Sequence, residues 1–397
     1  MMENKKNAFK KIYIFFLSVY LLCLPLNAIN LGAMGSAVKY FAIIPVFLSV
    51  FAGGKYLLCS PLLAQMGFAF FAFLSILWSV SLEDSLNRVI SYVLLLALLI
   101  SGSAFSFSSK ELDAIKLVLA WSSRLTALVM LVFAEFYNGR FLLKGIVEED
   151  PNYLCAYLAF GVVYALEVTV KKNNLLQKVL AIAELLLYFY LVLISGSRGG
   201  LIAIASAVIV FFTTYSDKKS RYTGRKLVLL LLILMSVLVF LENLPEDLRL
   251  RFTMEDVVES GGTGRVDLWK QSLQLFSEGN WFRQLFGYGT ATISWCFANF
   301  GYGLVNVAHN MFLETLAELG LGGLCLYSLA IFLFAKAAYR NRDGFSLPVM
   351  FCMIVMSLST SIYTFKPYFH IMLFIVMSQN LQKNPNEDTH LSCGGKI

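Results

Sequence analysis

Residues 179–212 read VLAIAELLLYFYLVLISGSRGGLIAIASAVIVFF. Two apolar runs, each near the length that crosses a hydrocarbon core of about 30 Å, are parted only by Ser195-Gly196-Ser197-Arg198-Gly199-Gly200. The glycines permit a sharp turn and a close approach of backbone to whatever Arg198 holds. A turn this short between two such runs predicts an antiparallel pair of membrane helices. Working outward in both directions, the same pattern recurs to the ends of the chain.

The composition agrees. Of 397 residues, 58% are hydrophobic and 14% charged, against roughly 25% charged in a soluble domain. The mean hydropathy is +0.71, so a soluble fold is excluded. The expected class is all-α, a polytopic integral membrane protein of about twelve helices. They fall near residues 12–33, 37–53, 57–80, 88–108, 112–135, 152–170, 176–195, 198–214, 226–242, 309–335, 345–363 and 367–382. Residues 1–242 hold helices one to nine and residues 309–382 the last three. Residues 243–308 form one large periplasmic loop, and residues 383–397 a disordered cytoplasmic tail.

Charge sets the direction. With the N-terminus inside, the inner loops carry Lys55, Lys110, Lys171, Lys172, Lys178, Lys218, Lys219, Arg221, Arg225, Lys226, Lys336, Arg340 and Arg342. The outer side keeps only Lys39, Arg88, Arg140, Lys144, Arg198 and Lys366 in its short loops, as the positive-inside rule requires. An even number of spans returns Lys383 and Lys396 to the cytoplasm. The net charge of +7 therefore reads as orientation, not as a nucleic-acid surface, since no basic face is clustered. The first apolar run follows Lys5, Lys6, Lys10 and Lys11 but lacks a small-residue cleavage site, so it reads as an uncleaved span. Seven cysteines without a CxxC pair read as small buried hydrophobes, with neither a disulfide frame nor a metal site.

The loop breaks the rhythm of tight turns. It carries Gly261-Gly-Thr-Gly264, and also Trp269, Trp281, Phe282, Phe286, Trp295 and Phe300, which a disordered linker would lack. Val266, Leu268, Trp269, Leu273 and Phe276 recur at helical spacing. They predict a short amphipathic helix lying on the bundle or on the lipid interface.

Three polar sites thus reach the outer face: Arg198, Gly264-Arg265-Val-Asp267-Leu-Trp269, and His309-Asn310. Arg198 reads as a phosphate ligand at a helix start, or as an arginine snorkelling to water. Arg265 offers a fork suited to a diphosphate, or a surface pair with Asp267 or Asp256. His309 either caps the tenth helix or transfers a proton. Glu314, roughly 7 Å further along that helix, is placed to support the site, while Glu318 reads as half of a structural salt bridge. Arg124 and Glu184 are expected to pair between helices, and Glu167 needs a partner. In Asp150-Pro151-Asn152, Asp150 caps the sixth span and shares the face of Arg198, where it would orient a sugar acceptor. Tyr363 and Lys366 add a further phosphate or sugar contact at the last outer turn.

These motifs resemble a known family. His309-Asn310, followed after nine residues by Gly320-Leu-Gly-Gly323, is similar to the histidine motif of the O-antigen ligase and O-antigen polymerase superfamily. Ser197-Arg198-Gly-Gly and Gly264-Arg265-Val-Asp-Leu-Trp269 look like its two arginine motifs, and Asp150-Pro-Asn152 resembles a further recurrent segment. The resemblance covers residues 148–335. It implies metal-independent glycosyl transfer, without a cofactor, at the outer face of the bacterial cytoplasmic membrane, from a glycan on undecaprenyl diphosphate. It further implies that Arg198, Arg265 and His309 are catalytic: the arginines hold the diphosphate, and His309 accepts or orients the proton of the attacking hydroxyl. Asn310, Asp150, Asn152, Glu314 and Lys366 become candidate substrate contacts. A polymerase using a lipid-linked acceptor is favoured over a ligase using lipid A–core, with a chain-length regulator and a flippase as candidate partners. A polysaccharide flippase is the reading from another class; it would place charges near the bilayer midplane and call for inverted repeats.

Overall fold

The computed structural model describes residues 2–23, 25, 38–51, 56–137, 140–143, 150–171, 174–215, 223–253, 264–361 and 365–381. Asp256, Tyr363 and the tail from residue 382, all invoked above, lie outside the described residues. The fold is all-α, with a helix on each apolar run. In the N-terminal half these are α1 (Met2–Leu22), α2 (Val38–Phe41), α3 (Ile43–Phe51), α4 (Ser60–Leu74, prolonged by a 3-10 turn to Trp78), α5 (Leu82–Ser101) and α6 (Ser109–Phe133). Then come α7 (Pro151–Lys171), α8 (Leu175–Ile194), α9 (Arg198–Thr214) and α10 (Thr223–Glu242). After the large loop the chain closes with α15 (Met311–Asn341), α16 (Ser346–Met356) and α17 (Lys366–Gln379).

Helix α7 is the axis of the bundle. It is apolar on every side, and a helix of that kind must be enclosed; Leu154 to Val163 are all buried, against α6, α8, α9 and α16. At Gly161 the neighbours press in, so that a Cβ there would lie 2.6 Å from Ser123 Cβ. The Ser123 hydroxyl accepts from the Gly161 amide (2.8 Å) and donates to the Tyr157 carbonyl (2.6 Å), bridging one rung of the helical ladder. The outermost helices behave in the opposite way. In α10, Leu227, Val228, Leu231, Leu232, Met235, Leu238 and Val239 stand exposed, an apolar surface that only lipid or another protein would cover. Among the described residues, six helices are long and apolar enough to cross a membrane: α4 with its 3-10 extension, α5, α6, α7, α8 and α15. Two further expected spans fall on shorter apolar helices, α9 and α16.

The charges inside the bundle are paired, as their desolvation demands. Arg124 grips Glu184 with two hydrogen bonds (3.0 and 3.2 Å) and stacks on Trp121. Glu167 takes Lys116 (3.5 Å) and Lys171.

The loop after α10 contains α11 (Glu246–Leu250), α12 (Arg265–Glu278), α13 (Trp281–Phe286) and α14 (Ile293–Asn299). The amphipathic α12 packs on protein through one face, while Val266 and Leu273 stay exposed. Its Leu268 and Leu275 join Ile293, Cys296, Phe297, Ala308 and Ala317 in a satellite core. The cap is fastened to α15 where that helix breaks. Gly320 adopts φ +64°, and a Cβ on it would strike the Leu285 backbone at 2.5 Å. Only a glycine lets the end of α13 seat against the kink. Glu318 differs from the expected salt bridge, because its carboxylate accepts the amides of Ala291 (2.7 Å) and Ile293 (3.2 Å) and so ties down the start of α14.

One element escaped the sequence reading. Strands β1 (Ala134–Tyr137) and β2 (Arg140–Leu143) pair antiparallel, Tyr137 opposite Arg140, between α6 and α7. The intervening Asn138-Gly139 is the strongest short-range hairpin signal a sequence offers.

Candidate active site

The site is assembled from several chain segments, in four groups, that the fold brings together. The first is the start of α9. Ser197 caps it, its hydroxyl accepting from the Gly200 amide (3.0 Å) and donating to Asn152 Oδ1 (2.7 Å). The Asn152 amide in turn donates to Asp150 Oδ1 (2.7 Å) at the start of α7, the cap expected of Asp150. Gly196, at φ +62°, turns the chain, and Gly199 lies so close to its neighbours that a Cβ would sit 2.5 Å from Ser359 Oγ and 3.2 Å from Asn152 Oδ1. Arg198 therefore stands on the N-terminal end of a helix, where the backbone adds positive potential of its own.

The second group is α12, whose first residue is Arg265. The third is the turn before α15. The Trp269 indole donates to the Ala308 carbonyl (3.0 Å) and so fixes α12 against the residue preceding His309. His309 itself has φ +49°, a conformation costing about 1–3 kcal/mol that persists only when its surroundings over-determine it. They do. Its amide donates to Glu314 Oε1 (3.0 Å), Asn310 Oδ1 accepts from the Phe312 and Leu313 amides (3.1 and 3.3 Å), and the Met311 amide donates to the Ser357 carbonyl (2.8 Å). The fourth group is the β hairpin with the end of α11, which contributes Arg140 and Arg251.

These parts line one cavity of about 710 Å³, walled by Asp150, Asn152, Arg198, Arg265 and His309 among others. Three sequence-derived candidates are placed otherwise. Asn310 and Glu314 are absent from the lining, because their side chains are committed to capping α15 and to holding the His309 backbone. Lys366 begins α17 and does not line the cavity either. Two lining arginines were missed as site residues. The Asn138-Gly139 hairpin signal could have placed Arg140, whereas nothing in the sequence singles out Arg251 from its neighbour Arg249.

Electrostatically the cavity is one-sided: among the described residues, four arginines face the single carboxylate of Asp150. Burial pushes Arg265 below the usual arginine range, with Arg198 and Arg140 adding to the effect and Asp150 opposing it. Arg251 is lowered likewise, first by burial and then by Arg140 and Arg198. Burial also holds His309 below its ordinary value near 6.5, and the Arg265 charge adds to this. At neutral pH its imidazole is uncharged and free to accept a proton. The other described histidine, His370, is buried against Tyr20 (3.0 Å) and does not line the cavity. Among the described residues no cluster of three or more His, Cys, Asp or Glu side chains is placed to hold a metal. Fixed guanidiniums, a helix N-terminus and a neutral imidazole at one wall can bind an oligoanion and deprotonate a neighbouring hydroxyl.

Residues 183–328 match the family described as O-Antigen ligase, and that segment contains Arg198, Arg265 and His309 together. No curated protein matches the chain. Within this multi-pass membrane protein, residues 183–328 thus match an O-antigen ligase domain, which is part of the O-antigen ligase and polymerase family. That family acts on lipid-linked polysaccharide.

Proposed function

We propose that this chain, through its O-antigen ligase domain, polymerises oligosaccharide repeat units carried on undecaprenyl diphosphate. In this reading the chain crosses the bacterial cytoplasmic membrane about twelve times, with both termini inside and the 243–308 loop on the periplasmic face. A hydroxyl of the acceptor unit attacks the anomeric carbon of the donor glycan. The carbon–oxygen bond to the diphosphate breaks, and its electron pair leaves with the lipid diphosphate. Arg198 and Arg265 hold that group and offset the charge it gains, and His309 takes the hydroxyl proton. No nucleotide is required, because the activated bond arrives with the substrate. The observation that carries the reading is the convergence of Arg198, Arg265 and His309 on one cationic cavity. The asymmetry of Lys and Arg supports its outward direction.

The ligase reading has its own support, since residues 183–328 match the family described as O-Antigen ligase. The polymerase is preferred because such enzymes serve capsule, exopolysaccharide and O-antigen systems alike, and the two differ only in the acceptor. A flippase is disfavoured, since the half-buried pair Arg124–Glu184 and the buried pair Lys116–Glu167 already satisfy one another. The test is the glycan made by a deletion strain complemented with His309→Ala, Arg198→Ala or Arg265→Ala. Loss of polymerase leaves a single repeat unit on the acceptor, and loss of ligase leaves it bare. Full-length chains from all three variants, at normal protein level, would remove the assignment.

A further inference from the structure

We propose that Arg140 and Arg251 form a second half of the anion site, which makes the cavity bind the departing lipid diphosphate more tightly than the glycan-bearing donor. The inference rests on the reading of the cavity as a diphosphate site and specifies which charge state it favours.

The geometry comes first. Arg140, on β2, and Arg251, just after α11, meet at Gly196, the residue that turns the chain into Arg198. A Cβ at Gly196 would lie 3.0 Å from Arg140 Cβ and 3.2 Å from Arg251 Nε. Among the described residues neither arginine has an ion pair, and the Nε of Arg251 is buried there without a hydrogen-bond partner. Like charges crowded in this way are unfavourable unless an anion comes between them. The segment that presents Arg251 and the hairpin that presents Arg140 thus bring charge to the same wall.

The charge count then decides what that anion is. A diphosphate esterified at both ends, as in a lipid-linked glycan, carries two negative charges. Once the sugar has left, the terminal phosphate gains a further ionisation with a pKa of about 6, so the leaving group carries close to three at neutral pH. Four guanidiniums and the Asp150 carboxylate, among the described residues, sum to three positive charges. That total matches the leaving group and exceeds the donor. The third charge develops as the anomeric bond breaks, so arginines beyond those needed for the donor act where the transition state differs from the ground state. The bound product, by the same logic, inhibits the next turnover until it is released.

The experiment uses the full-length protein in nanodiscs and three probes: farnesyl diphosphate, farnesyl monophosphate and a doubly esterified farnesyl diphosphate. Binding is measured by calorimetry at pH 7.5 and pH 5.5. The wild type is expected to prefer farnesyl diphosphate to the doubly esterified probe by about tenfold, the worth of one charge-assisted contact, and to lose most of that preference at pH 5.5. Arg140→Gln and Arg251→Gln should each erase the preference while changing affinity for the doubly esterified probe less than about threefold. Arg251→Lys, which keeps the charge, should retain part of it and serves as the folding control. Unchanged preference in both Gln variants, with Arg198→Ala and Arg265→Ala losing all binding, would overturn the second subsite and leave the diphosphate reading standing. Equal binding of monophosphate and diphosphate by the wild type, or no binding of any probe, would overturn both.

Discussion

Glu314 reaches the chemistry only through the backbone of His309, and that makes its removal informative. Its carboxylate is buried and accepts the His309 amide at 3.0 Å. In Glu314→Ala that half-buried N–H loses its acceptor, at a cost of about 1–3 kcal/mol. This is comparable to the about 1–3 kcal/mol stored in the left-handed backbone of His309, so the turn has reason to relax and carry the imidazole away from the cavity. If the loss appears in the transition state, turnover falls about 10- to 100-fold. Glu314→Gln keeps an oxygen at the same place and gives up only the charge assistance, so it should lose less than about tenfold. The assay is turnover of lipid-linked substrate by purified protein in nanodiscs, with thermal melting as the control for folding. The double variant His309→Ala/Glu314→Ala should be no slower than His309→Ala alone. Wild-type turnover in Glu314→Ala would refute the argument. Equal losses in the Gln and Ala variants would refute it too, by showing that the carboxylate charge matters and the acceptor geometry does not.

Other consequences can be measured alongside. Arg265→Lys should lose at least about tenfold in turnover, since a point charge does not reproduce a two-pronged fork; unchanged kinetics would reduce Arg265 to general charge attraction. Burial lowers the His309 pKa, so the neutral base is present above that value and lost as pH falls through it. The free-enzyme profile of kcat/KM should therefore hold through pH 7 and drop on an acidic limb below about 6.5; a limb above 7 would contradict this. Gly199→Ala would drive a methyl to 2.5 Å from Ser359 Oγ and against Asn152, and should cut glycan output while leaving membrane insertion intact, scored by chain-length profile against protein level.

The sequence revealed most of the helices because a bilayer leaves the chain little choice: each apolar run near twenty residues must satisfy its own backbone, and helix is the way to do so. It also revealed the paired motifs, since arginines placed against the orientation bias stand out. What it hid was mostly a matter of tertiary context. Arg251 lies in an ordinary polar stretch and becomes a site residue only because α11 folds back to Gly196. Asn310 and Glu314 resembled substrate ligands because polar residues beside a histidine invite that reading, yet capping α15 and holding a strained turn occupy them. Glu318 was read as an ion-pair partner, and two backbone amides claim its carboxylate. The hairpin at Ala134–Leu143 was legible in Asn138-Gly139 but was overshadowed by the longer apolar run before it.

The proposed function requires that the cationic cavity open to the periplasm. Asn306 lines it and is exposed, so a cysteine at that position, in an active variant lacking the native cysteines, reports its side directly. Labelling of intact cells by a membrane-impermeant maleimide is expected, with protection when a lipid diphosphate is bound. Labelling only after the cytoplasmic membrane is breached would contradict it.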